Sequence, residues 1–180
     1  LSLQGTYVGH TTAAARSLSW GRETYYQWPS LPHPAAVGTA AALAALDEAL
    51  TTHKGRVLGL VCELFGEETG LRLNDEYLAE LETRRQAGLK VCVVETSTGG
   101  YRGSADHCFL VDETPLQPSQ VWWYTGGQLG IVFCADEAWV EKPLQLISTW
   151  DGDELSMIRC NHHLRAGFRL RENRIERSAQ

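Results

Sequence analysis

Two uninterrupted apolar runs, separated by one well-capped amphipathic segment, constrain this chain more than any other feature. Val57-Leu58-Gly59-Leu60-Val61-Cys62 shows no polar alternation, the pattern of a strand buried on both faces of a parallel sheet. Asn74 predicts a helix N-cap, with Asp75 and Glu76 in the first turn, Tyr77, Leu78 and Leu81 on the apolar face, and Gly88 marking the end. Lys90-Val91-Cys92-Val93-Val94 reads as a second buried strand. Strand, helix and strand at this spacing predict a right-handed βαβ crossover, and with it an α/β fold on a mainly parallel sheet. A chain of 180 residues suits one domain, residues 1–180, with a sizeable core.

The flanking sequence extends the same architecture. Leu1-Ser2-Leu3-Gln4 predicts a short strand entering the loop Gly5 to Thr11. Trp28-Pro29-Ser30-Leu31-Pro32-His33-Pro34 forbids helix through its prolines and predicts a long surface loop. Thr39 to Thr52 predicts a helix with Leu43, Leu46 and Leu50 on one face, which Gly55 helps to end. Val121 to Tyr124 and Leu129 to Cys134 flank Thr125-Gly126-Gly127-Gln128, a hairpin signal. Asp153 to Leu170 reads as a closing helix with Leu155, Ile158 and Leu164 in the core. In open parallel sheets ligands sit beyond the carboxyl ends of the strands, here the loops after Gln4, Cys62, Val94 and Tyr124.

Composition excludes several classes. A net charge of -6 argues against a nucleic-acid binder, which gathers lysine and arginine on one face. The basic tail mixes Arg169, Arg171, Arg174 and Arg177 with Glu172 and Glu176, the spacing of a solvated helix end. Cys62, Cys92, Cys108, Cys134 and Cys160 are an odd set without close pairing, as in a reduced, cytoplasmic protein. Cys160, His162 and His163 have no second ligand cluster of zinc spacing, so a metal site is not expected. No run approaches transmembrane length and no signal peptide opens the chain. A first residue of leucine implies processing or excision from something longer.

Four loops, in order, resemble the large cofactor domain of the class III (ω-type) aminotransferases, which use pyridoxal phosphate. Tyr7-Val8-Gly9-His10-Thr11 resembles Y-H-G-R-T, whose aromatic stacks on the pyridine ring. Val61-Cys62-Glu63-Leu64-Phe65-Gly66-Glu67-Glu68-Thr69-Gly70 resembles V-E-P-x-Q-G-E-G-G, with Glu68 on the pocket-gating acid. Val94-Glu95-Thr96-Ser97-Thr98-Gly99 is similar to D-E-V-Q-T-G. Ser148-Thr149-Trp150-Asp151-Gly152-Asp153 is similar to S-T-F-G-G-N, whose threonine reaches the cofactor phosphate of the neighbouring subunit. The resemblance implies a fold type I, three-layer domain with helices on both faces of the sheet, and suggests a homodimer. It covers only the middle of such an enzyme, without the glycine-rich phosphate loop and small domain that flank it in the family.

The departures fall on the chemistry. Val94 stands where the family's aspartate pairs with the pyridinium that makes the ring an electron sink, and Ser97 replaces the glutamine that reaches the ring hydroxyl. Thr125 stands where the Schiff-base lysine is expected, and threonine cannot form an imine. Lys54 and Lys90 are expected at the amino ends of strands, which leaves Lys142 as the one substitute. The expected function is therefore a degenerate aminotransferase-like module without transaminase activity and without cofactor, in which Tyr7, Glu68, Ser97 and Thr149 are vestigial. It would serve in structure, dimerisation or binding, as a homodimer or as part of a larger modular protein. Tyr25, Tyr26, Trp28 and Trp139 are candidate interface aromatics. Two alternatives stay open: an active pyridoxal-phosphate aminotransferase using Lys142 or a lysine of another chain, and acid–base chemistry by Glu63, Glu67 or Glu68 with His10.

Overall fold

The crossover unit sets the frame. In the computed structural model, which describes residues 1–3, 30–66, 69–95, 107, 109–126, 129–139, 141 and 153–178, β3 (Leu60–Glu63) and β4 (Val91–Glu95) are parallel neighbours joined through α3 (Asp75–Gln86). Asn74 caps α3: its side-chain oxygen accepts the Tyr77 N–H at 2.8 Å, satisfying one orphan donor of the first turn. Asp75 and Glu76 lie in the first turn and Arg84 and Arg85 in the last, both favourable to the helix dipole. Gly88 follows the helix at φ 108°, a conformation that favours glycine.

Four further strands complete a six-stranded sheet in the order β2-β1-β3-β4-β5-β6. β1 (Ser2–Leu3) is parallel to both β2 (Ser30–Leu31) and β3. β5 (Gln120–Gly126) is parallel to β4, and β6 (Leu129–Cys134) returns antiparallel to β5. The architecture is thus the expected α/β one, a mostly parallel sheet with helices.

The core lies on one face of this sheet. Leu60 and Cys62 of β3 and Val91 and Val93 of β4 cluster with Ala42, Leu46 and Ala49 of α2 (Thr39–Thr52) and with Tyr77, Leu78 and Leu81 of α3. Arg84 ties the two helices, its guanidinium donating to both carboxylate oxygens of Asp47 at 2.9 and 2.8 Å. The apolar runs are therefore not equally buried on both sides. Val91, Val93 and Glu95 are buried, whereas Cys92 and Val94 on the opposite face are half-buried.

Three expectations are corrected. The first strand of the crossover begins at Leu60 instead of Val57, and Leu58 is 95% exposed. An apolar run does not distinguish a strand from the linker that feeds it. Gly59 marks the true junction: a Cβ there would meet the Lys90 carbonyl oxygen at 2.8 Å. The proline-rich stretch is not simply a surface loop. It contains β2 and a short helix, α1 (Pro34–Val37), capped by His33, whose Nδ1 accepts the Ala35 N–H at 3.1 Å. Leu31, His33 and Pro34 are buried, and proline at the first helical position suits such a start. Finally, the closing helix α4 (Glu154–Ser178) runs longer than expected and turns Ser156 and Cys160 inward, leaving Leu155 61% and Ile158 56% exposed. Among the described residues it packs mainly on β5 and β6, and it buries a stripe of positions four apart, Ser156 and Cys160. No helix among the described residues is long and apolar enough to cross a membrane.

Candidate functional site

The carboxyl ends of β1, β3, β4 and β5 lie at Leu3, Glu63, Glu95 and Gly126, and parallel pairing brings them to one rim. In register, Glu63 stands beside Val94 and Val94 beside Trp122. Residues side by side in a parallel ladder share a sheet face, so Glu63, Val94 and Trp122 point to the same side. Two residues back on that face, Gln120 binds its neighbours, its Oε1 accepting the Trp122 indole N–H at 2.9 Å and the Cys92 thiol at 3.6 Å.

Thr125 lies three positions beyond Trp122 at the end of β5. The β5–β6 register passes from Tyr124↔Gly130 to Gly126↔Leu129, which leaves Thr125 as the extra residue of a bulge. Bulges at a sheet rim re-aim the chain and terminate pairing. Val94 and Thr125 are therefore on adjacent strands at the same end of the sheet, with Thr125 inside β5 and not in the loop after Tyr124 that the sequence suggests. Tyr7, His10, Glu67, Glu68, Ser97, Lys142 and Thr149 lie outside the described residues, as do Tyr25, Tyr26 and Trp28. Trp139 is 67% exposed, following a 3-10 turn at Asp136–Ala138.

Lys54 and Lys90 occupy the opposite end. Both line an open cleft of about 320 Å³ with Leu50, His53, Leu58 and Arg84, beside the amino ends of β3 and β4. Neither can reach the carboxyl rim, since the strands themselves intervene. Among the described residues no three His, Cys, Asp or Glu side chains converge as metal ligands. On α4, Cys160 is buried while His162 and His163 are exposed, so these three do not share a face.

One rim residue was not singled out by the sequence. Glu95 ends β4 on the core face, 2% exposed. Its Oε1 accepts the Val111 N–H at 2.8 Å, holding the start of the 3-10 turn Leu110–Glu113. Burial pushes its carboxyl up to about 7, the backbone N–H groups of Val111 and Leu110 pull it down, and nearby Asp112 and Glu113 raise it further. A carboxyl titrating near neutrality suits proton transfer, but here the oxygen is committed to the turn. The period-two alternation Val91, Val93, Glu95 is the signal that places it inside. Next to it Phe109 stacks edge-on against Trp123 at 5.1 Å and against Phe133 at 5.2 Å between ring centroids.

No protein-family model matches the chain and no curated protein sequence matches it. Solved structures do. The lysine aminotransferase of M. tuberculosis in its internal aldimine form superposes with a TM-score of 0.72 at 20% identity, over 91% of this chain and 42% of that one. An (S)-enantioselective omega-transaminase of Thermomicrobium roseum gives 0.69 at 17% identity, over 94% and 44%. The ornithine aminotransferase of Plasmodium yoelii gives 0.60 at 20% identity, over 88% and 46%. The chain thus spans less than half the length of the structures it matches. The mostly parallel sheet, its antiparallel edge strand and these superpositions together show that the chain shares the fold of these aminotransferases and transaminases, fold type I.

Proposed function

We propose that this chain is a degenerate aminotransferase-fold module without transaminase activity, acting in structure, self-association or binding, alone or within a larger protein. The observation that carries the reading is Val94, half-buried on the site face at the carboxyl end of β4. A bound pyridoxal ring needs a carboxylate there to hold its nitrogen protonated, because that charge lets the ring accept electrons from substrate. Valine supplies neither charge nor hydrogen bond. The described lysines, Lys54 and Lys90, open at the wrong end of the sheet. On this reading the described part of the rim offers a pyridoxal ring neither a charged partner for its nitrogen nor a lysine for an imine.

The competing reading is an active aminotransferase whose imine forms on Lys142 or on a lysine of another chain. It is favoured by the order of the four motifs and by the fold. Incubation with pyridoxal phosphate, followed by borohydride reduction and peptide mass mapping, separates the two. The proposal expects no saturable aldimine absorbance and only scattered labelling of exposed lysines. A stoichiometric adduct on Lys142, discharged by an amino donor, would overturn it. We place the chain in a reducing compartment such as the cytoplasm, a reading supported by its odd set of five cysteines without close pairing in the sequence.

A further inference from the structure

We propose that the segment from Phe109 to Gln117 is a strap with one permanent and one proton-dependent clasp, so that its 3-10 turn lifts off the end of the sheet, without global unfolding, once Glu95 loses its proton. The inference goes beyond the proposed function and holds whether or not the rim transaminates.

The strap crosses the core face where β4 and β5 end. Leu110, Val111 and Leu116 are buried in the main core cluster, and Phe109 sits edge-on to Trp123 and Phe133. Its internal bonds are short-range: the Asp112 N–H donates to the Phe109 carbonyl at 3.3 Å, and the Thr114 N–H and hydroxyl donate to the Val111 carbonyl at 3.0 and 2.9 Å. Two carboxyl groups fasten it to the rest of the fold. Glu95 of β4 accepts the Val111 N–H at 2.8 Å, and Glu82 of α3 accepts the Gln117 N–H at 3.0 Å.

The two clasps differ in their surroundings. The Arg85 guanidinium donates at 2.8 Å to each oxygen of Glu82, which keeps that carboxylate ionised down to about 2. The clasp at Gln117 therefore stays charged and closed at every ordinary pH. Glu95 is buried, and among the described residues no lysine or arginine acts on it. The turn sets Asp112 and Glu113 near it, both acids. β5 places Trp123 beside it in register. β3 and α3 contribute Cys62 and Tyr77 to the same core, each held neutral by burial. His107, ahead of the strap, is exposed and is not among the charges that act on Glu95.

A buried carboxyl without a cation keeps its proton, and burial carries this one up to about 7 against the pull of the Val111 and Leu110 N–H groups. Below that value the neutral group accepts the Val111 N–H and the turn is seated. Above it a charge stands in the core beside two like charges, and the state that admits water to it is favoured. Proteins open in the smallest unit that gives such relief. Here that unit ends where Glu82 holds Gln117 and where the Ser119 N–H, at 2.8 Å from the Val91 carbonyl, joins the strap to the sheet.

Hydrogen–deuterium exchange of the intact chain at pH 4 and pH 8 tests this, read at residues 109–117 and at the α3 residues 75–86, for the wild type and for Glu95→Gln. Comparing the two proteins at one pH cancels the intrinsic exchange rate. The ratio of wild-type to variant exchange in the strap is expected to rise by about tenfold or more between pH 4 and pH 8. At pH 8 the wild-type strap should also be less protected than α3, the mark of local opening. Should Glu95→Gln fail to fold, the wild type decides alone, with strap protection, corrected for the unfolded rate, falling below that of α3 as pH rises. A strap ratio that does not change with pH, or a strap and α3 that share one protection at pH 8, would overturn the inference. Binding of pyridoxal phosphate is not part of this readout, so the two proposals fail separately.

Discussion

Replacing Glu95 with glutamine isolates the energetics of the rim. In the unfolded chain this carboxyl releases its proton near 4.5, and in the fold it holds it to about 7. Between those values the native state binds more protons than the unfolded one, so stability falls as pH rises. The decline starts near the unfolded value and is complete above the folded one. At roughly 1.4 kcal/mol per decade, ionised Glu95 costs the fold about 3 kcal/mol at pH 8. Glutamine keeps an oxygen to accept the Val111 N–H but does not ionise. E95Q should therefore match the wild type near pH 4 and exceed its stability by up to about 3 kcal/mol at pH 8. Urea melts at both pH values read this directly, and taking the difference between the two proteins cancels every other titrating group. Glu95→Ala provides the control: it strands the buried Val111 N–H and should lose about 1–3 kcal/mol at both pH values. A difference between E95Q and wild type that does not change with pH would refute the argument.

Other perturbations test the frame around the rim. Asn74→Ala removes the cap on Tyr77 and the 3.1 Å bond from Asn74 to Thr39, and should cost about 1 kcal/mol in chemical denaturation. Gly59→Ala drives a Cβ against the rigid Lys90 carbonyl and should destabilise by about 1–3 kcal/mol, with a lowered Tm. Glu82 is held down to about 2, first by Arg85, whose guanidinium donates at 2.8 Å to each oxygen, and further by the Gln117 N–H and Gln86. Its contribution is present above the unfolded carboxyl value and lost as pH falls through the folded one. Because the pair is partly exposed to solvent, Glu82→Gln should remove only about 1 kcal/mol of that acid-side dependence in melts between pH 5 and pH 2.

The sequence is most legible where local chemistry and burial agree. Asn74, Asp75 and Glu76 define the start of α3 because an N-cap and first-turn acids are local requirements. Thr39–Thr52 is helical as expected, since alanine and leucine favour helix regardless of what they pack against. The hairpin from Val121 to Cys134 follows from its glycine turn. Legibility ends where tertiary contact overrides pattern. Leu58 and Ile158 are apolar yet exposed, because their neighbours in space are not their neighbours in sequence. His33 and Leu31 are buried inside a stretch that reads as loop, since three prolines forbid long helix but permit a two-residue strand and a single helical turn. At the rim, the family resemblance singles out Val94 but gives no sign of Glu95 as its buried neighbour. One residue of offset in a strand moves a side chain to the opposite face.

That offset gives Val94 a physical reason that does not depend on any cofactor. Its partner in register is Glu63, which is buried on the same face of the adjacent strand. An aspartate at position 94 would set two carboxylates side by side with little water between them, and like charges directly abreast on a sheet are destabilising. Such a pair retains one proton well above the ordinary carboxylate range. Val94→Asp should thus lose stability progressively from acid to neutral pH, by about 1–3 kcal/mol more than Val94→Asn, which has the same shape and no charge. Equal stabilities of V94D and V94N at pH 8 would mean that Glu63 and position 94 do not face one another. A restored acid would then find nothing on this rim opposing it, and the valine would need a different explanation from the one its neighbour provides.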